Sequence, residues 1–137
     1  MITYALDSNI ISFLLKNKTN IKQRFDNAIE SNIPYSIPPL AYYEVKRWLI
    51  ARNATVQLNY FDDLYNYSIK SDMTIAIWEK AIDIYVKLKQ ANQLIDDVDI
   101  FIASYCIVNG YVLITDNTKH FYRISELTII NWNNNNG

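Results

Sequence analysis

Apolar positions along the chain follow two different periods. Runs of β-branched and aromatic residues are typical of strands. They occur at 2–6, 33–38, 111–115 and 127–132. Apolar residues three and four positions apart are typical of amphipathic helices. They occur over 9–17, 20–32, 39–53, 56–69, 76–93 and 96–110, and 69–74 can hold one more short strand. Because helices separate the strands, this order predicts an α/β fold, a three-layer sandwich with a mainly parallel central sheet.

Short polar residues and one glycine mark the ends of two predicted helices. Asp7 or Ser8 can cap the first helix, because such side chains accept hydrogen bonds from free backbone amides. Asp96 or Asp97 can cap the sixth helix, and Gly110 can close it in a left-handed conformation. Apolar residues lie on most sides of this sixth helix, so we expect it to be buried.

The chain of 137 residues shows no internal repeat and no linker-like segment. Its length suits one hydrophobic core, so we expect a single domain over 1–132. Residues 133–137 form an Asn-rich run, which predicts a disordered tail. Apolar runs are short and interrupted, and no secretion signal is recognisable, so we expect no membrane contact and a cytoplasmic location.

Three residue types are scarce enough to exclude several classes of site. Two glycines, Gly110 and Gly137, are too few for a Walker loop or a Rossmann fingerprint. One histidine, His120, and one cysteine, Cys106, are too few for a zinc site of His and Cys ligands or an internal disulfide. The net charge of −1 gives no overall basic field, so binding of nucleic acid would depend on local lysines and arginines.

Five carboxylates stand at positions where α/β proteins form sites. Asp7 follows the first strand, and Asp116 follows the strand after the sixth helix. Asp99 lies in the first turn of the sixth helix, with Asp96 three residues before it on the same face. Glu44 lies within the third helix. Sites in parallel sheets form at the carboxyl ends of the strands, so Asp7 and Asp116 would be neighbours if their strands pair.

Each carboxylate also has an ordinary structural explanation. Asp7 and Asp96 are good helix caps, and Asp99 suits the helix dipole. Asp116 before an asparagine is a turn signal, and Glu44 can face solvent. As a group, however, two like charges about 4 Å apart repel by about 4 kcal/mol at an effective dielectric of about 20. A cation would offset that repulsion. Carboxylate oxygens select Mg²⁺ or Mn²⁺, which can activate water for phosphodiester hydrolysis.

Five segments, in register over nearly the whole chain, resemble a known family. They are YALDSNIIS, PPLAYYEVKRW, IDDVDIFIAS, GYVLITDNTKHFYRI and LTIINW. In order, separation and total length they resemble the PIN-domain ribonucleases, and most closely the VapC-type toxins of bacterial toxin–antitoxin pairs. The resemblance implies a PIN-like fold over 1–132 and a metal-dependent endoribonuclease.

The resemblance also implies which residues form the site. Asp7, Glu44 and Asp99 match the family's acidic core, which holds one or two Mg²⁺ or Mn²⁺ ions. The family's fourth acid falls on Asn117 in this sequence, while Asp116 stands one residue earlier. Asp116 is therefore the candidate for the fourth catalytic and metal-binding carboxylate.

Other polar residues are candidates for supporting roles. Those that would orient the carboxylates or metal-bound water are Ser8, Asn9, Asp96, Thr115 and Asn117. Those that would contact RNA are Lys46, Arg47, Arg52 and His120. A solvated helix face explains the three basic residues equally well, and His120 can instead be structural.

The resemblance implies partners as well. The family's substrates are structured RNAs, often transfer RNA, its inhibitor is a small antitoxin that blocks the site, and its members form homodimers. One alternative is a PIN fold that binds RNA or a protein without cutting. Another is a phosphoacceptor receiver domain, which is disfavoured because only Asp7 follows the first strand, where a receiver needs an acidic pair.

Overall fold

The computed structural model describes residues 1–133 of the chain. Within these residues it forms four strands and seven helices. In chain order they are β1 (Tyr4–Leu6), α1 (Ser8–Leu15), α2 (Thr19–Glu30), β2 (Tyr35–Ser36), α3 (Pro39–Ala51), α4 (Thr55–Asn66), α5 (Ile75–Gln90), α6 (Asp97–Asn109), β3 (Val112–Ile114), α7 (Thr118–Phe121) and β4 (Ile129–Ile130).

The four strands form one sheet in the order β2-β1-β3-β4, and every neighbouring pair is parallel. Leu6 at the end of β1 lies opposite Ile114 at the end of β3. The carboxyl ends of the two central strands therefore meet at the same edge of the sheet. Helices flank this sheet, which confirms the predicted α/β fold with a parallel central sheet.

The core is centred on β1, β3 and α6. Apolar residues of both central strands are buried, because helices cover the sheet on its two faces. As its sequence predicts, α6 is buried on most sides, and its buried residues are Ile100, Ile102, Ala103, Ser104, Tyr105 and Cys106. The helix packs against α5 and ends at Gly110, whose φ of 72° is the left-handed conformation expected there.

Two local predictions differ from the structure. The segment 69–74 does not form a strand; it contributes a single parallel bridge between Ile69 and Ser36, which extends the sheet by one residue pair. The helix α7 was not predicted, because four residues are too few to show a helical period.

The ends of α1 and α6 resolve the two open choices of cap. Asp7 is the N-cap of α1, and its Oδ1 accepts a hydrogen bond from the backbone N–H of Ser8 at 2.8 Å. Asp96 is the N-cap residue of α6, but its side chain makes no capping hydrogen bond. The predicted disordered tail, apart from Asn133, lies outside the described residues. No helix within residues 1–133 is long and apolar enough to cross a membrane.

Candidate active site

The site begins with two polar side chains at the carboxyl ends of the central strands. Asp7 follows β1 and Thr115 follows β3, and the parallel register brings them together. Thr115 Oγ1 donates a hydrogen bond to Asp7 Oδ2 at 2.6 Å. Both residues are buried, with Asp7 4% exposed. A charged group is therefore placed in the core, where it is costly unless something offsets the charge.

Hydrogen bonds offset only part of the charge on Asp7. Its carboxylate accepts from the Ser8 backbone N–H, from Thr115 Oγ1 and from Asn9 Nδ2, the last at 3.3 Å. Burial, with smaller contributions from the nearby carboxylates of Asp99 and Glu44, nevertheless raises the pKa of Asp7 to about 6. No lysine or arginine of residues 1–133 is among the groups that shift this pKa. The site therefore favours a cation that the described residues do not supply.

Glu44 enters the site from α3, which packs against α1. The hydroxyl of Ser8, the first residue of α1, donates to Glu44 Oε1 at 2.6 Å. Ser8 therefore holds two carboxylates at once, since its backbone N–H bonds Asp7 while its side chain bonds Glu44. This double contact explains why a serine can follow the capping aspartate.

Asp99 is positioned by the first turn of α6 and by α7. Asn117 Nδ2 donates to Asp99 Oδ2 at 3.3 Å, and His120 Nδ1 lies 3.2 Å from the same oxygen. Burial raises the pKa of Asp99, the contact with His120 lowers it, and the charge of Asp96 raises it again. Asp96 itself is exposed at the rim. We call Asp7, Glu44 and Asp99 the carboxylate cluster.

Asp116 stands beside the cluster but its carboxylate has another partner. Its backbone N–H donates to Asn9 Oδ1 at 3.1 Å, while its Oδ1 accepts from Asn131 Nδ2 at 3.2 Å. Asn117, not Asp116, contacts Asp99. The contact with Asn131 was not predicted, although a residue just after β4 must lie at the same sheet edge once β3 and β4 pair in parallel.

The predicted RNA contacts separate into three environments. Lys46 Nζ bonds the Tyr42 hydroxyl at 2.8 Å and pairs with Asp62 at 3.6 Å. Arg47 lies over the Tyr43 ring with its guanidinium carbon 4.7 Å from the ring centre. His120 contacts Asp99, as described above, and Arg52 lies over the Trp48 ring. Lys46 therefore forms an ion pair with a carboxylate, whereas Arg47 and Arg52 lie over aromatic rings.

As placed, the side chains do not form a ready-made coordination shell. No three His, Cys, Asp or Glu side chains in residues 1–133 are grouped so that they could hold a metal ion. One oxygen of Glu44 is bonded to Ser8 and one oxygen of Asp99 to Asn117. The donors are nevertheless all carboxylate oxygens, and Asp7 is buried beside two like charges. That donor set and that charge fit Mg²⁺ or Mn²⁺.

The fold and the site define an α/β domain with a buried aspartate and two partly buried carboxylates at the carboxyl edge of a parallel sheet. Residues 4–127 match the model of the PIN domain family. The chain belongs to the PIN domain family.

One curated relative and several solved structures are similar to this chain. Ribonuclease VapC1 of Methanocaldococcus jannaschii is 39% identical over 69 residues, which cover 50% of this chain and 48% of that protein. The match thus spans about half the length of the curated relative. VapBC2 of Rickettsia felis, solved with a promoter DNA fragment, has a chain with a TM-score of 0.87 and 21% identity, over 96% of this chain and 99% of that one. A chain of VapBC-1 of nontypeable Haemophilus influenzae has a TM-score of 0.84 and 25% sequence identity, over 97% of this chain and 100% of that one. The resemblance to PIN-domain ribonucleases of VapC type is confirmed.

Proposed function

We propose that this chain is the endoribonuclease toxin of a toxin–antitoxin pair and that it hydrolyses RNA phosphodiester bonds at the carboxylate cluster. Membership of the PIN domain family and the relative named as a ribonuclease support this proposal. The observation that carries it is the burial of Asp7, with its pKa raised to about 6, next to Glu44 and Asp99 at the sheet edge. A carboxylate that serves only as a helix cap would not need to be buried beside two others.

The carboxylates of Asp7, Glu44 and Asp99 would hold one or two Mg²⁺ or Mn²⁺ ions. When bound, such an ion supplies a Lewis acid that lowers the pKa of water and offsets charge on the phosphate. Asp116 would join this set only by leaving its hydrogen bond to Asn131. The remaining polar residues fix the carboxylates in place: Thr115 and Asn9 hold Asp7, Ser8 holds Glu44, and Asn117 with His120 holds Asp99.

The test of this function is cleavage of RNA by the purified full chain. We expect cleavage in Mg²⁺ or Mn²⁺, none after EDTA treatment, and recovery when either ion is added in excess, because no lysine or arginine within residues 1–133 forms an ion pair with a carboxylate of the cluster. An Asp99→Asn variant purified in parallel controls for a contaminating nuclease. Cleavage that persists in EDTA, or equal cleavage by Asp99→Asn, would refute a metal-dependent site at the cluster.

An antitoxin is the proposed protein partner. Solved structures similar to this chain include VapBC proteins of Rickettsia felis, Haemophilus influenzae and Salmonella typhimurium and a toxin–antitoxin complex from Klebsiella pneumoniae. The proposed RNA substrate is a structured RNA, with transfer RNA as the first to be tried.

A second copy of the chain is the other proposed partner. The exposed side of α5 carries large apolar residues at helical spacing, namely Ile75, Trp78, Ile82, Tyr85 and Val86. Exposed apolar patches of this kind mark interfaces. We expect sedimentation velocity to show a dimer, and Ile82→Glu to shift it to a monomer because a buried unpaired charge is costly. A monomeric wild type would contradict this proposal.

A further inference from the structure

A groove of about 250 Å³ runs between α1 and α3, directly beside the carboxylate cluster. Its lining combines small polar side chains with one large aromatic side chain. The lining residues are Ser8, Asn9, Ser12, Glu44, Val45 and Trp48. Since Glu44 belongs to both the groove and the cluster, a ligand that fills the groove lies next to the proposed site of cleavage.

Each side of the groove carries a row of three residues. On each helix, three residues spaced four apart, and therefore on one face, point the same way. They are Ser8 and Ser12 of α1 with Lys16 at its C-cap, and Glu44 and Trp48 of α3 with Arg52 at its C-cap. The rows meet at one end through the hydrogen bond from Ser8 to Glu44. They meet at the other end at the Trp48 ring, whose centre lies 5.5 Å from Lys16 Nζ and 4.4 Å from the guanidinium carbon of Arg52.

The two cations at the far end of the groove have no acidic partner. Lys16 and Arg52 are exposed, and within residues 1–133 neither forms an ion pair with a carboxylate. Other lysines, such as Lys46 and Lys80, do form such pairs. The groove therefore has one acidic end at Glu44, an aromatic wall, and one end with positive charge that is not neutralised.

This combination suits single-stranded nucleic acid. Proteins that bind single strands pair an aromatic ring, on which a base stacks, with basic side chains that contact the backbone. Arg52 adds a planar guanidinium that can itself stack on a base or bind phosphate in two places. Only an unpaired base can reach such a ring, because a paired base is already stacked within its helix.

We infer that this groove binds one unpaired nucleotide of the RNA substrate next to the bond that is cut. The base lies against Trp48 on the ring surface that Lys16 and Arg52 cover in this structure, and the two cations turn from the ring to bind its phosphate between them. The inference rests on the proposed nuclease function and narrows its substrate to RNA with an unpaired nucleotide beside the cleaved bond.

Binding of a short, unstructured, fluorescein-labelled RNA to the full chain tests the role of the ring. The Asp99→Asn background suppresses cleavage during the fluorescence anisotropy titration. In that background we expect Trp48→Leu to weaken binding roughly 5- to 100-fold, since stacking on an aromatic side chain contributes to that extent. Trp48→Phe keeps an aromatic ring and should lose less. Tyr67→Leu, which removes an exposed aromatic ring that does not line the groove, should bind as the background does.

The salt dependence of binding tests the two cations. Removing both in Lys16→Gln/Arg52→Gln should reduce the slope of log affinity against log salt by about 0.7, because the two cations together neutralise one phosphate and each neutralised phosphate of a single strand contributes about 0.7. The matched control Lys18→Gln/Lys89→Gln also removes two cations that lie over aromatic rings, here Phe13 and Tyr85. If local contacts rather than net charge determine the salt dependence, this control should have the same slope of log affinity against log salt as the Asp99→Asn background.

Three outcomes would overturn the inference while leaving the nuclease function intact. The first is that the wild type cuts RNA but Trp48→Leu binds RNA as tightly as Tyr67→Leu does. The second is an equal change of slope in both double variants. The third is that Trp48→Leu leaves RNA binding unchanged but prevents the antitoxin from inhibiting RNA cleavage. This result would show that the groove binds the antitoxin. Wild type that fails to cut any RNA would instead refute the nuclease function itself.

Discussion

Asp99→Asn should lower RNA cleavage by at least about 100-fold while the fold survives, because even residues that only support metal ligands cost about 10- to 100-fold when changed. The substitution keeps the size of the side chain and can still accept the hydrogen bonds from Asn117 and His120. It removes one negative charge from the carboxylate cluster. Glu44→Gln should act in the same direction, since Ser8 can still bond the amide oxygen.

Asp116→Asn provides the matched control for this result. It makes the same chemical change at the same edge of the sheet, but at a carboxylate that bonds Asn131. We expect a smaller loss of cleavage than for Asp99→Asn, measured as initial rates on one RNA with circular dichroism to confirm folding. If Asp116→Asn loses as much activity as Asp99→Asn, then Asp116 belongs to the metal site and must leave Asn131 in the active enzyme. Full activity in Asp99→Asn would leave the cluster with only a structural role.

The sequence predicted the sheet edge well because strand pairing there follows from composition. The sequence predicts Asp7 and Asp116 as neighbours at the ends of two apolar strands. In the structure β3 ends at Ile114, one residue earlier than predicted, so the polar residues that directly follow the two strands are Asp7 and Thr115. Once the strands pair in parallel with Leu6 opposite Ile114, these two residues must be neighbours. Glu44 and Asp99 could be assigned only through the family resemblance, because no spacing in the sequence shows which helix faces lie beside this edge.

The choice between Asp116 and Asn117 could not be made from the sequence. It depends on how the chain turns between β3 and α7, and α7 has only four residues, Thr118–Phe121. The turn directs Asn117 towards Asp99 and leaves the carboxylate of Asp116 to Asn131. Asn131 is more than ten residues away in sequence, so this contact is set by tertiary structure alone.

The basic residues of α3 show a different limit. Lys46 and Arg47 were expected near RNA because they follow Glu44 closely, yet their partners are the tyrosines four residues before each of them. Pairs four apart lie on one helix face, so these contacts could have been read from the sequence. The neighbourhood of Lys16 and Trp48 could not, since it depends on how α1 packs against α3.

Asp7→Asn should raise the stability of the metal-free protein at neutral pH. The pKa of Asp7 is raised from 3.8 to about 6 in the folded state. The folded chain therefore binds a proton at Asp7 more tightly than the unfolded chain does. Stability from this group is therefore fully present below about pH 4 and is lost as the pH rises through about 6. Each pKa unit corresponds to about 1.4 kcal/mol, so ionised Asp7 costs the folded protein up to about 3 kcal/mol at neutral pH.

Asparagine cannot ionise and caps a helix about as well as aspartate, so the variant avoids most of that cost. Its amide group does replace an oxygen that accepts from Thr115 and Asn9, and a lost hydrogen bond costs about 1 kcal/mol. We therefore expect a gain of about 1 to 2 kcal/mol in EDTA, or roughly 3 to 10 °C in melting temperature, using about 3–5 °C per kcal/mol, which lies between the values for smaller and larger domains.

The pH and metal dependence of the melting temperature separate this cause from others. In EDTA the gain of Asp7→Asn over wild type should be present at pH 7.5 and vanish at pH 4, where Asp7 of the wild type is protonated. Asp72→Asn, at an exposed carboxylate, should show no such gain. With excess Mg²⁺ or Mn²⁺ the wild type should recover or pass the variant, because a ligand that binds only the folded state stabilises it. A variant that melts below the wild type in EDTA at pH 7.5 would show that hydrogen bonds already compensate the charge of Asp7, and the case for a bound cation would then lose its main physical support.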